Sequence, residues 1–312
     1  MNAPKLLQLN RRNPGPSSSR QVRQGLHWLM LAVVLLVCAL LVYVYRTRHR
    51  NTDHPQPGRF SRAQKIAEGV FWLPIHGSNV YFVQSDADWV LIDTAWGNSG
   101  LVIREAAESL FGPASRPAAI LLTHDHPDHD GAALQLAREW ECPVYVHPAE
   151  VALATATDLA TIEQYANPMD RWVILPIMRV LPQRWVRSMI ARDSLEDVVQ
   201  TLDLTWALPA LPEWRWIPTP GHSPGHVAFF RERDRVLITG DALLTVDLDS
   251  FPGWLSLGSQ RGKPRLSVAP WYINWDQKEA EKSASALLAL EPGVIASGHG
   301  TPLVLGMSDS DK

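Results

Sequence analysis

Residues 121–132 read LLTHDHPDHDGA. Three histidines and three aspartates fall within positions 124–130, directly behind the apolar run AAILLT (118–123). That run shows no polar alternation, so it reads as a strand buried on both faces of a sheet. A buried strand that ends in a concentration of ionisable groups narrows the choices sharply. Sheets of α/β domains carry their sites at the carboxyl ends of strands, and this run sits at such an end.

The candidate ligands here are His124, His126, Asp128 and His129. His124 and His126 are two apart, so in extended backbone both rings point the same way. Asp128 and His129 follow Pro127, where the chain turns, and can face a second position. Asp125 and Asp130 point away and are left out. Imidazole nitrogen with carboxylate oxygen suits Zn²⁺, and also Fe or Mn. A solvated polar loop is the plain alternative, but four spaced ligand types behind a buried strand favour a metal site.

Four ligands are few for two metals, so more are expected downstream. TPGHSPGH (219–226) offers His222 after the strand-like EWRWIP, LITGDALL (237–244) offers Asp241, and IASGHGTPL (295–303) offers His299. Each lies in the loop after a strand and beside glycine, which makes the set a constellation rather than isolated polar residues. His226 reads as structural, and His76 and His147 as loop or edge histidines. The serines of GNSG and PGHSPG form no strand–GxSxG–helix elbow, so a serine nucleophile is not indicated. Trp254, Trp271 and Trp275 follow Asp241 and are read equally as packing or as contacts at a pocket mouth.

The runs GVFWLP (69–74), NVYFVQ (79–84) and DWVLIDT (88–94) read as neighbouring strands of a meander. Helices are expected near 98–111, over 131–140 and over 276–290. Further strands are expected at PVYVH (143–147), EWRWIP, HVAFFRE, RVLITGD and GVIAS (293–297). This order predicts an α/β domain with sheets inside and helices outside. The stretch 150–212 fits less well. Its part 171–192 holds five Arg, no acid and twelve large apolar residues, interrupted by Pro176 and Pro182. It reads either as a helical lid with its apolar face on the body or as a basic amphipathic surface resting on a membrane.

Residues 26–45, LHWLMLAVVLLVCALLVYVY, carry no acid, Lys or Arg. As a helix they would span about 30 Å, the thickness of a bilayer core. Trp28, Tyr43 and Tyr45 suit the two interfaces. The run is longer than the apolar part of a signal peptide, and YRTRHR follows it rather than a small-residue cleavage site. The predicted organisation is a basic arm (1–25), a transmembrane helix (26–45), a linker (46–65), a catalytic domain (66–306) with a helical insertion at about 150–212, and a tail (307–312). Arginines flank the span almost evenly, and the reading leans towards a body outside the cytoplasm. Of the 29 basic residues 11 lie in 1–65, with one of the 32 acids, so the remainder holds 18 bases against 31 acids, about −13. Such a body excludes nucleic acid as a partner, because that binding needs a positive surface. Two cysteines, Cys38 and Cys142, make no disulfide framework.

HxHxDH, then His in a PGHSPGH turn, Asp in a GD turn and His in a GHG turn together resemble the metallo-β-lactamase superfamily, nearest its glyoxalase-II-like and lactonase-like branch. The resemblance covers roughly 66–306, with all seven ligand positions in order. It implies a four-layer αββα sandwich preceded here by the transmembrane helix. It also implies two divalent ions: His124, His126 and His222 on one, Asp128, His129 and His299 on the other, and Asp241 bridging them. Asp93, in LIDT, matches an aspartate that steadies a ligand histidine. A shared water would lose its proton with a pKa of about 7 and attack a carbonyl of an ester, lactone, thioester or amide. Asp128 would pass a proton onward. The expected substrate is a small or lipid-like molecule. A mono-iron persulfide dioxygenase and a small phosphodiesterase are the alternatives within the resemblance. The step of 93 residues from His129 to His222 is long beside compact relatives, so the insertion is expected to shape the entrance.

Overall fold

A computed structural model describes residues 62–86, 88–203, 208, 210–248 and 264–305, with the backbone alone for 191–193. The arm, the apolar segment 26–45, the linker up to residue 61, Trp254 and the tail from 306 lie outside the described residues. Among the described residues no helix is long and apolar enough to cross a membrane.

The first sheet has seven strands in chain order: β1 (Gln64–Ala67), β2 (Val70–Ile75), β3 (Ser78–Ser85), β4 (Asp88–Ile92), β5 (Ala119–Leu121), β6 (Val144–Val146) and β7 (Val199–Thr201). β1 to β4 pair antiparallel, because only two residues join each neighbouring pair and so short a connection must reverse the chain. At the β2–β3 turn His76 and Gly77 both have positive φ, 50° and 94°, the backbone of a tight hairpin, so His76 is a turn residue. From β4 onward the pairing is parallel. Helices α1 (Gly100–Phe111) and α2 (Ala133–Trp140) supply the crossovers that parallel strands require.

The second sheet runs β12–β11–β10–β9–β8. Its members are β8 (Trp214–Pro218), β9 (Val227–Arg231), β10 (Val236–Gly240), β11 (Val294–Ser297) and β12 (Leu303–Val304). β10 and β11 are parallel, and the helix Gln277–Leu288 crosses between them.

Strand alternation sorts the side chains into layers. In β3, Tyr81 and Val83 face the second sheet, where they meet Trp216, Phe229 and Ile238. Val80 and Phe82 face the other way, onto Ile103 of α1 and Leu136 of α2. In β9, Ala228 and Phe230 turn outward onto Ala284 and Leu287 of the helix Gln277–Leu288. The order of layers is therefore helix, sheet, sheet, helix.

Two boundaries differ from expectation. β1 starts at Gln64, inside the stretch read as linker, because it pairs with β2 as the edge strand. The expected insertion at about 150–212 is helical over most of its described length but is bounded by elements of the sandwich. Its first helix, α3 (Val151–Ala154), follows β6 after one short 3₁₀ turn, and β7 joins the sheet edge beside β6. Between them lie α4 (Leu159–Gln164), a π-type turn (Asp170–Ile174), α5 (Leu175–Val180) and α6 (Gln183–Asp193). Pro176 sits in the first turn of α5, where no N–H is needed. Leu181, before Pro182, is extended and separates α5 from α6. Val186 and Ile190, one turn apart on α6, pack with Ala156, Leu159, Ile162, Met178 and Leu181 into a small core of their own. The opposite face leaves Trp172, Val180, Trp185 and Met189 exposed.

Phe229→Ala should lower the free energy of unfolding by about 3–5 kcal/mol, and Val180→Ala by less than about 0.5 kcal/mol. Urea denaturation of the two variants checks this, and equal losses would contradict the layer assignment.

Candidate metal centre

Four loops that leave the carboxyl ends of strands meet at one edge of the sandwich. β5 runs into His124, β8 into the turn that carries His222, β10 into Asp241 and β11 into His299. His124, His129, His222, Asp241 and His299 are buried, while His126 and Asp128 keep partial access to solvent.

His124 Nε2 and His222 Nε2 lie 3.0 Å and 3.1 Å from His126 Nδ1. Three ring nitrogens thus converge on one point. Beside them, His299 Nε2 lies 3.3 Å from Asp128 Oδ2, and His129 Nε2 lies 3.7 Å from the same oxygen. Asp241 stands between the two groups: Oδ2 is 3.2 Å from His299 Nε2 and 3.5 Å from His222 Nε2, and Oδ1 is 3.5 Å from His129 Nε2. The ligand-type atoms of His124, His126 and His222 all lie within 4.8 Å of one another, as do those of His124, His129 and Asp241 and those of Asp128, His129 and His299.

The outer nitrogen of each ring shows why the inner one is free to bind a cation. His129 Nδ1 donates to Asp93 Oδ2 at 2.9 Å, and His299 Nδ1 to the Gly77 carbonyl at 2.8 Å. His222 Nδ1 donates to Asn274 Oδ1 at 3.0 Å. His124 Nδ1 lies 3.0 Å from Thr123 Oγ1, whose own proton goes to Asp93 Oδ2 at 2.9 Å, so that hydroxyl accepts from the ring. With Nδ1 bonded outward, Nε2 of these four rings points inward, as a lone pair wherever the ring is neutral.

Two inward atoms, His129 Nε2 and Asp241 Oδ1, are buried and have no hydrogen-bond partner. Leaving such groups unpaired is costly, and a divalent cation satisfies both at once. Space around Asp241 is tight: a Cβ on Gly298 would stand 2.2 Å from Oδ1, so only glycine can occupy that position. The residues present fit a metal centre.

Charge divides the site. Burial, reinforced by neighbouring imidazoles, pulls His124 well below the usual histidine range and His126 down to about 3. Burial also opposes a proton on His129, but Asp128, Asp241 and Asp93 outweigh it and raise that ring to about 9. His299 is likewise raised, against its burial, chiefly by Asp241. Burial would lift the carboxyls of Asp128 and Asp241, yet the charges of His129 and His299 hold both below the usual carboxylate range.

Several supporting residues carry no sequence signal. Asn274 and the Gly77 carbonyl belong to no motif that points to a site, and nothing marks Thr123, inside LLTHDH, as a partner of His124. His226 is structural: its Nε2 accepts from the Asp241 N–H at 2.9 Å and its Nδ1 meets Thr219 Oγ1 at 2.7 Å. His147 accepts from the Ala149 N–H and packs against Trp216, away from the centre. The backbone N–H of Trp275 donates to the His222 carbonyl. Trp271 is exposed, with its ring 6.3 Å from that of Trp172, so the insertion reaches the His222 side of the centre.

In metal-free protein at pH 7, His129 and His299 hold protons while His124 and His126 do not. Filling the group that contains His129 and His299 should therefore release at least about one proton and tighten as pH rises towards 9. The group of His124 and His126 should release none from those two rings. Calorimetric metal titrations in buffers of different ionisation enthalpy measure this, and equal proton release for the two binding events would contradict the charge division.

A family model described as the Metallo-beta-lactamase superfamily matches residues 73–299. The chain is 34% identical over 245 residues to the probable metallo-hydrolase YflN of Bacillus subtilis, covering 77% of this chain and 86% of that protein. It is 29% identical over 124 residues to the hydroxyacylglutathione hydrolase GloC of Haemophilus influenzae, covering 40% of this chain and 49% of the relative. The crystal structure of a metallo-beta-lactamase family protein from Thermus thermophilus superposes with a TM-score of 0.55 at 24% identity, over 77% of this chain and 76% of that one, and shows the shared fold. This chain belongs to the metallo-beta-lactamase superfamily, and within it to the metal-dependent hydrolases.

Proposed function

We propose that the protein is a binuclear hydrolase of carbonyl compounds: esters, lactones, thioesters or amides. His124, His126 and His222 hold one divalent ion, Asp128, His129 and His299 the other, and Asp241 spans the two. The observation that carries this reading is the placement of Asp241 within 3.5 Å of ligand nitrogens from both groups. The donor set suits Zn²⁺, and Fe or Mn as well. When bound, a metal pair supplies Lewis acidity and a water whose pKa falls to about 7.

The chain's own residues supply orientation and proton traffic. Asp93, Asn274 and the Gly77 carbonyl hold the imidazoles in the tautomer that presents Nε2 inward. Asp128 is the carboxylate with a route to solvent, its side chain 21% exposed against 4% for Asp241. It accepts from the Ser78 hydroxyl at 3.3 Å and is the group placed to carry a proton between the centre and water. Similarity to a protein named as a hydroxyacylglutathione hydrolase supports including thioesters in the first substrate panel.

Asp241→Ala should reduce hydrolysis of a lactone, thioester and ester panel to background, with metal content measured on the same samples. Turnover that survives complete removal of metal would sink the proposal. One iron per chain with O₂ consumption on a persulfide would favour the dioxygenase alternative.

We further propose that residues 26–45 anchor the chain in a membrane and that the outer face of 171–192 rests on anionic lipid. The apolar, uncharged composition of 26–45 supports the first part. Exposed Trp172, Val180, Trp185 and Met189, interleaved with exposed Arg184 and Arg187 and no acid, support the second. Every strand and core residue described lies after residue 62, so a chain starting at residue 56 keeps the whole sandwich. That chain should bind vesicles containing phosphatidylserine at low salt and detach as salt rises. No binding at low salt ends the lipid-face proposal.

A further inference from the structure

The two loops that form the three-histidine group are linked by backbone at their base, where the Val227 N–H donates to the Thr123 carbonyl at 2.9 Å, and their ring nitrogens meet at 3.1 Å. A carboxylate from a third element joins them. Glu150 ends the short 3₁₀ turn Pro148–Glu150 behind β6 and is 1% exposed. Its Oε2 accepts from the Asp125 N–H at 2.9 Å, between His124 and His126. Its Oε1 accepts from the Ser223 hydroxyl at 2.8 Å and the Gly225 N–H at 2.6 Å, just past His222. No arginine or lysine pairs with it among the described residues. A buried carboxylate without a cation is tolerated only where N–H and O–H donors replace its water, and here three do. The fit is close: a Cβ on Gly225 would lie 2.8 Å from Glu150 Cγ, so a side chain there would force the loop away.

We infer that Glu150 is a positioning residue that sets the separation of His222 from His124 and His126, and so tunes the affinity of the three-histidine group for its metal. The inference rests on the two-metal reading above. Glutamine at this position keeps the shape but turns one acceptor oxygen into a donor facing the N–H or O–H groups that now bind it. The three-histidine group is then expected to loosen while the group of Asp128, His129 and His299 keeps its geometry, since Glu150 touches none of those residues.

Cobalt(II) titration of the full-length chain tests this, with d–d absorption reporting coordination geometry and a competing chelator reporting affinity. Glu150→Gln should weaken one of the two cobalt sites by about 10–100-fold and alter its spectrum, leaving the other unchanged. Ser223→Ala, which removes one donor of three, should give a smaller loss at the same site, about tenfold or less, and keeps the question answerable if Glu150→Gln does not fold. Glu163→Gln, at a surface pair with Arg179, is the control and should match the native protein. Native spectra and affinities in both Glu150→Gln and Ser223→Ala overturn the inference, as does an equal loss at both sites, which marks a general structural role. Failure of the native chain itself to bind cobalt overturns the two-metal reading instead, and this inference with it.

Discussion

A carboxylate buried at the end of β4 organises half of the centre. Asp93 accepts from the Thr123 N–H at 2.8 Å, from the Thr123 hydroxyl and from His129 Nδ1. The first two bonds continue the parallel pairing of β4 with β5 past the last ladder residues and hold the start of the HxHxDH loop against the sheet. The third aims His129, and the Thr123 hydroxyl passes the same constraint to His124. One acid thus fixes two of the rings that converge on the site. The chain adopts φ of 58° at Asp93 to present it, a strained backbone that three charge-assisted hydrogen bonds offset.

Around that point the site is built on contrast. Near His124 and His126 burial and neighbouring imidazoles keep rings neutral, with lone pairs ready for a cation. Around His129 and His299 carboxylates dominate and favour the protonated rings. Asp241 belongs to both environments, and His226 keeps its backbone in place from behind. The second sheet serves mainly to bring Asp241, His222 and His299 to the edge where β5 ends. Its inner face, with Trp216, Phe229 and Ile238, packs on Tyr81 and Val83 and so sets the height of those loops.

Much of this is legible in residues alone. AAILLT announces a buried strand because it lacks alternation, and the ligand types behind it can only be a site or a solvent loop. The three later ligands are legible because each sits beside glycine after an apolar run, and Gly298 shows why: no side chain fits next to Asp241. Asn274, Gly77 and Glu150 are illegible, since an amide, a carbonyl and an acid are found on every surface and nothing local distinguishes these. The bounds of the helical stretch within 150–212 are not legible, because they are set by α3 and β7, short elements whose place depends on the sheet edge beside β6. Five arginines among apolar residues indicate two-sided helices but not which apolar residues face inward; packing of Val186 and Ile190 on Met178 and Ile162 decides that.

The sequence by itself determined the layered α/β class and the family of metal-dependent hydrolases, and it singled out the His and Asp side chains that the fold brings together, because residue type, glycine and apolar period are local properties of the chain. It also shows an apolar segment at 26–45 that carries no acid, Lys or Arg. Only the tertiary structure decided which ring nitrogen faces inward, where Asp241 stands between the two groups, and that Glu150 ties loops 73 and 25 residues away. Those are distances between segments remote in sequence, and they exist only once two sheets have packed face to face.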